Sequence, residues 1–335
     1  MTPTSGPIQV HAVLMNGHVL LDLIGPLEAL RVANRLLAGR GQPPAFALRF
    51  VGAGQECRSA MGLTLTALAP LPHLAGQPGK HWVLVPGQVG EQVEVTTPEA
   101  RELQRWLAKL PLAEGHVELV CVCAGSVLAA HAGLLAHRRA TTHHLHLDEL
   151  KTAEPRCEVL PHRLFVNDGP VWTSAGVTTG IDLMLHRIHQ VADPALAAEV
   201  AQHLVLALRR GPDDPELSPF VCHRDHRHAA LHRVQDAVQR DPRQDWDLPS
   251  MAAVACTSPR HLTRLFEAHA GVTPLRYLRQ IRLALADAAL ASGHSVTQAA
   301  ELAGFRSDGQ LRRAWQQMGP GETPRTRRRG ATRRE

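Results

Sequence analysis

Ser250-Met-Ala-Ala-Val-Ala-Cys-Thr-Ser258-Pro-Arg-His-Leu-Thr-Arg-Leu-Phe266 carries the spacing of two short helices joined by a tight turn. Ala252 stands four positions before the turn at Cys256, and a small side chain there lets the first helix cross closely over the second. Ser258 is placed to cap the second helix. The pattern recurs as Ser295-Val-Thr-Gln-Ala-Ala-Glu-Leu-Ala-Gly-Phe-Arg-Ser307-Asp-Gly-Gln-Leu-Arg-Arg-Ala-Trp315, with Ala300, Gly304 and Ser307 in the same three roles. Two helix-turn-helix units on one chain predict an all-α domain that reads DNA.

Charge agrees with that assignment. Residues 223–335 hold 19 arginines, no lysine and 11 carboxylates, a net of +8, whereas residues 1–222 hold 17 basic and 20 acidic side chains, a net of −3. A basic segment behind a mildly acidic body predicts one domain meeting a polyanion and one doing something else. In the first unit Leu262, Leu265 and Phe266 are expected to pack inward. Arg260, His261 and Arg264, behind Ser258, are the candidate groove contacts. In the second, Phe305 and Leu311 are the expected anchors, and Gln310, Arg312 and Arg313, behind Ser307, are the candidate contacts. Arg276, Arg279 and Arg282 on the helix between the units either touch phosphate or solubilise it. Residues 321–335 read as a basic tail, with Arg325, Arg327, Arg328 and Arg329 as non-specific phosphate ligands or a solubilising end.

Upstream, the periodicity changes. Ile8–Met15, Phe46–Val51, Trp82–Pro86 and His116–Val122 are apolar runs of strand length. They alternate with helical stretches at Asp22–Asn34, Pro98–Leu110 and after Cys123. Alternation of this kind predicts an α/β layer structure with a mostly parallel sheet. Phe165–Trp172 reads as a hairpin turning at Asn167-Asp-Gly169, and Thr178–Ile188 as a closing helix. His143 and His144, after Thr141 and Thr142, fall on the expected next strand. Val191–Arg209 is expected to continue as helix, Gly211–Pro219 as a turn-rich connector, and His226–Arg240 as an amphipathic lead helix.

Cys123 follows a buried strand directly and precedes a helix rich in small residues, the setting of a nucleophile elbow. Helix-terminal amides there favour a thiolate, and an inert buried thiol at a tight turn fits the local sequence equally well. Six cysteines, at 57, 121, 123, 157, 222 and 256, include no CxxC pair, so neither a disulfide framework nor a zinc site is expected. No metal or cofactor motif is read. With 44% apolar residues, no uninterrupted membrane-length run and no basic-then-apolar start, a reduced cytoplasmic setting is expected.

Five stretches together resemble a known family: Asp22-Leu-Ile-Gly-Pro-Leu-Glu28, Cys123-Ala-Gly-Ser-Val-Leu-Ala129, Ala132-Gly-Leu-Leu135, Ala140-Thr-Thr-His143 and Thr173-Ser-Ala-Gly-Val-Thr-Thr-Gly-Ile-Asp-Leu183. With the double motif they are similar to AraC-type regulators carrying an N-terminal DJ-1/PfpI-like, glutamine-amidotransferase-like domain, over residues 8 to 320. The resemblance implies a flavodoxin-like domain at 8–190 that senses a ligand and dimerises. It also implies a helical extension and linker at 191–225 and the DNA-binding domain at 226–320. It implies that Asp22 meets Cys123, and it nominates Asp22, Cys123 and His143 as pocket residues. Hydrolytic members have histidine directly after the cysteine. Ala124 stands there, which implies that the chain is not an enzyme. The implied function is a metabolite-responsive activator, a homodimer on promoter DNA in contact with RNA polymerase, with an amino acid or amine as effector. A cysteine amidase or hydrolase and a ligand-independent DNA-associated protein are the alternatives.

Overall fold

The computed structural model describes residues 6–206, 220, 222–224, 226–291 and 293–317. The connector at 211–219 and the tail at 321–335 lie outside them. The chain divides into two compact units, Met1–Glu216 and Leu217–Glu335.

The first unit is built on a seven-stranded sheet. Its strands are β1 (Ile8–Leu14), β2 (Phe46–Gly52), β5 (Ala69–Pro70), β6 (His81–Val85), β7 (Val117–Val122), β10 (Phe165–Asp168) and β11 (Val171–Ser174). Two short pairs stand apart: β3 (Glu56–Arg58) with β4 (Thr64–Thr66), and β8 (Arg139–Ala140) with β9 (Glu158–Val159). The order across the large sheet is β10-β11-β7-β6-β1-β2-β5. Every pairing in it is parallel except the β10–β11 edge hairpin, so the sheet is mixed, with a parallel body. The central strands β6 and β7 are buried at every position, which explains their unbroken apolar runs. Helices α1 (Leu20–Gly39), α5 (Thr179–Val191) and α6 (Pro194–His203) pack on one another, and α3 (Gly125–His131) packs against α2 (Pro98–Leu107) and α4 (Leu147–Ala153).

Two expected elements differ. Residues 141–143 are not strand, and His144–His146 form a single 3₁₀ turn capped by the His143 side chain. The expected strand is cut short after Ala140, where Thr141 N–H turns aside to the Thr173 hydroxyl at 2.9 Å. The helix expected across 191–209 breaks at Ala192, and Asp193 caps a new one at Ala195 N–H with Pro194 at its first position.

Within the sheet, His11 and His81 form a buried pair with a defined proton order. His81 Nε2 donates to the Pro78 carbonyl at 3.1 Å, so its Nδ1 accepts from His11 Nε2 at 3.2 Å. His11 Nδ1 is left with no hydrogen-bond partner among the described residues, and a proton there would be buried without an acceptor. Burial first, then His81 and Arg49, pulls His11 down to about 4. The unfolded chain, with histidine near its ordinary 6.5, therefore takes up the proton first. Stability from this site is full above about 6.5 and is lost as the pH falls toward about 4. Urea unfolding across that window is expected to show a loss on the order of 2 kcal/mol that His11→Leu removes.

The second unit is all helical: α7 (Ala229–Arg240), α8 (Leu248–Val254), α9 (Pro259–Ala270), α10 (Pro274–Ala291), α11 (Val296–Leu302) and α12 (Asp308–Gln316). One core gathers Leu231, Val234, Val238, Met251, Leu262, Phe266, Tyr277 and Ile281. A second gathers Ala286, Leu290, Val296, Ala300, Phe305 and Leu311. The long α10 supplies residues to both. No helix among the described residues is long and apolar enough to cross a membrane.

Candidate effector pocket and nucleic-acid interface

Cys123 closes β7 in the left-handed region, φ 57°, before α3 begins at Gly125. A non-glycine residue there costs about 1–2 kcal/mol, and the surroundings hold it in place. Its N–H donates to the Ser174 carbonyl at 2.9 Å. Its own carbonyl accepts from the Ser126 and Thr142 hydroxyls, both at 2.9 Å. Three glycines make room. A Cβ on Gly125 would fall 2.3 Å from the Val85 carbonyl oxygen, one on Gly176 2.3 Å from Cys123 Cβ, and one on Gly87 2.8 Å from both Asp22 Oδ2 and Cys123 Cβ.

Asp22 enters from the first turn of α1 and is wholly buried. Val177 N–H donates to Oδ1 at 2.6 Å and Gly87 N–H to Oδ2 at 3.2 Å. Burial pushes the carboxyl above the usual carboxylate range. The two amides and the Cys123 thiol pull it partly back. The expected meeting of Asp22 and Cys123 is therefore present: a buried carboxyl beside a buried thiol, walled by glycine backbone.

His143 follows Thr142, whose hydroxyl reaches the Cys123 carbonyl. The His143 ring is half-buried and lies against His144, tilted by 34° with 4.2 Å between centroids. Burial, then His144 and His146, pulls it down to about 4. His146 pairs with Glu149 at 2.6 Å, and Glu149 in turn accepts from Val93 N–H at 2.7 Å.

The expectation that the chain is not an enzyme is corrected. It considered only the elbow cysteine, whereas Cys57 on β3 places its Sγ 3.9 Å from His18 Nδ1, a cysteine–histidine pairing. His18 Nδ1 also lies 2.7 Å from the Met15 carbonyl, and both side chains are buried. Burial lowers His18 and raises Cys57. The sequence hid this pair because its members are 39 residues apart and meet only when β3 hydrogen-bonds to the loop at residues 16–18 before α1.

In the second unit α8 and α9 meet at a turn where Cys256 takes φ 54°. Ala252 is buried beneath the crossing. Ser258 caps α9 by accepting from His261 N–H. Leu262 and Phe266 are fully buried and Leu265 partly, while Arg260 and Arg264 are exposed and His261 is half-exposed. This is the arrangement of a helix-turn-helix with its second helix facing outward. The later helices α11 and α12 are joined through Gly304, φ 80°. Ser307 accepts from Gln310 N–H. Arg312 and Arg313 are exposed, and Gln310 Oε1 accepts from Arg306 N–H at 2.7 Å. Arg282 is neither a plain solubilising residue nor aimed outward. Its Nε donates to the Pro242 carbonyl at 2.8 Å and Nη2 to that of Gln244 at 2.9 Å.

The Helix-turn-helix domain model matches residues 251–330 and the DJ-1/PfpI family model residues 9–190. The HTH-type transcriptional regulator CdhR of Pseudomonas aeruginosa is 30% identical over 305 residues, which cover 90% of this chain and 86% of that protein. The HTH-type transcriptional regulator GlxA of Rhizobium meliloti is 29% identical over 307 residues, 91% of each. A crystal structure of an AraC family transcriptional regulator from Pseudomonas putida superposes with a TM-score of 0.50 at 21% identity, over 59% of this chain and all of that one, and shares its fold. With a matched domain in each unit and relatives aligned along most of its length, the chain belongs to the AraC-type helix-turn-helix transcriptional regulators that carry a DJ-1/PfpI-family domain.

Proposed function

We propose that this DNA-binding regulator is a metabolite-responsive transcriptional activator. It works as a homodimer whose N-terminal domain takes up a small nitrogen-containing compound, an amino acid or amine. The ligand biases the orientation of the paired DNA-binding domains and so changes promoter occupancy and contact with RNA polymerase. The domain limits are those set out above: sensing and dimerisation at 8–190, linker at 191–225, DNA binding at 226–320 and a basic tail at 321–335. Arg260, His261 and Arg264 enter one major groove behind Ser258. Gln310, Arg312 and Arg313 enter the next behind Ser307, as a second helix-turn-helix.

The observation that carries the DNA half is the polar face of α9, outward behind a capped N-terminus and opposite buried Leu262 and Phe266. The effector half is supported by the buried Asp22 carboxyl beside Cys123, with His143, which follows the Thr142 bonded to the Cys123 carbonyl, as a third pocket residue. Full-length protein is expected to retard duplexes from its own promoter region at low salt. Replacing Arg260, His261 and Arg264 together by alanine is expected to weaken binding by about 100-fold or more while thermal unfolding stays put. Absence of retardation by the wild type, with and without amines and amino acids, would falsify the reading. A second reading, cysteine chemistry in the first unit, is favoured by the His18–Cys57 pairing. A covalent adduct on Cys57 with a thiol-directed amide or nitrile probe separates it from the first.

A further inference from the structure

On α9, Arg264 Nη2 lies 3.0 Å from His261 Nδ1. A guanidinium has only donors to offer, so Nδ1 must be the acceptor. The neutral imidazole then carries its proton on Nε2, and that tautomer is held by the arginine one helical turn along. The His261 backbone is fixed as well, because its N–H donates to Ser258 Oγ at 3.3 Å. Leu262 and Phe266, fully buried, anchor the opposite side of the helix. The result is a pair of neighbouring side chains whose free polar atoms are all donors: His261 Nε2–H and the remaining guanidinium N–H groups.

We propose that His261 and Arg264 act as one donor-only reading pair that selects a guanine in the major groove. The proposal rests on the reading that α9 enters DNA. Guanine alone sets two acceptors, O6 and N7, side by side on its major-groove edge. Adenine pairs one acceptor with an amino donor, cytosine offers a donor, and thymine has one acceptor beside a methyl group. A donor-only pair facing the amino group of adenine or cytosine leaves donors unpaired in a desolvated contact. A lone histidine would lack this discrimination, since it can switch tautomer and present a lone pair at Nε2. Arg264 removes that option, so it acts as a positioning residue for His261 besides reaching the base itself.

Two measurements on the full-length protein test this. Selection from randomised duplexes is expected to return one position occupied by guanine, where changing G·C to A·T weakens wild-type binding about tenfold or more. Arg264→Met is expected to relax that position alone, and His261→Asn, whose amide both donates and accepts, to shift it toward adenine. Nitrogen-15 shifts of the His261 ring are expected to show a single Nε2–H tautomer in the wild type and a mixture in Arg264→Met. A mixed tautomer in the wild type overturns the pairing. Selected sites with no guanine preference, or variants that weaken every sequence equally, overturn the readout and leave phosphate contact in its place. Failure to select any duplex while the single tautomer persists overturns the reading of α9 as a DNA helix, and the proposal with it.

Discussion

Arg187→Met is expected to lower the unfolding free energy by about 3–5 kcal/mol, the cost of leaving one charge of a buried pair without its partner. Arg187 is 4% exposed on α5 and pairs with the equally buried Glu118 on β7. Its guanidinium lies between two indoles, 4.4 Å from the Trp82 ring centre and 4.5 Å from that of Trp172. Glu118 also accepts from Gly115 N–H at 2.9 Å, which ties the loop before β7 to the same carboxylate. Burial lowers the Arg187 pKa below the usual arginine value in spite of Glu118. Desolvation therefore outweighs the partner's attraction, and the pair positions α5 over the sheet more than it adds net stability. The contrast to measure is between Arg187→Met and the double variant Arg187→Met, Glu118→Leu in urea. The double variant is expected to recover at least half of the loss, because no unpaired charge remains buried. Equal losses in the two would show that the cation between the indoles, and not the orphaned carboxylate, carries the effect.

That arrangement was not legible in the sequence, and the reason is physical. Arg187 sits in a helix with an ordinary mix of residues, and Glu118 interrupts an otherwise apolar strand. A single charge in each says nothing of the other until α5 docks. What could be read were features with a local cause. Cys123 after an apolar strand predicted the tight turn, and its positive φ follows from a strand handing directly to a helix. Ser258 and Ser307 predicted helix starts because the cap is made within three residues. The meeting of Asp22 with Cys123 was available only through family resemblance, since 101 positions separate them. At Thr141–His144 the expected strand does not form, because the Thr173 hydroxyl draws the Thr141 amide away, a partner 32 positions distant. The pairing of His18 with Cys57 has no sequence motif, since 39 positions separate the two.

Gly176→Ala is expected to be strongly destabilising, although it adds a single methyl to the candidate pocket. Gly176 takes φ 94°, where any Cβ is strained, and that Cβ would lie 2.3 Å from Cys123 Cβ and 2.7 Å from Sγ. The Cys123 Cβ cannot move far, since the Cys123 backbone is held by Ser174, Ser126 and Thr142. Retreat of the 176–177 backbone instead would pull Val177 N–H from Asp22 Oδ1 and leave a buried carboxyl oxygen short of a donor. Conformational strain of about 1–2 kcal/mol and overpacking of about 1–3 kcal/mol together place the expected loss near 3–4 kcal/mol. Gly133→Ala supplies the reference, because Gly133 has φ 77° but no atom within 4 Å of the added methyl. Its loss in urea unfolding reports the backbone term alone. The crowding term is isolated by adding Cys123→Gly to Gly176→Ala, which deletes the Cβ and Sγ that the new methyl meets and relieves the left-handed strain at 123. The two changes are in contact, so their effects are expected not to add, with the double variant more stable than Gly176→Ala alone. Strict additivity would mean that residues 123 and 176 do not press on one another, and the glycine wall around the thiol would then have no role in shaping it.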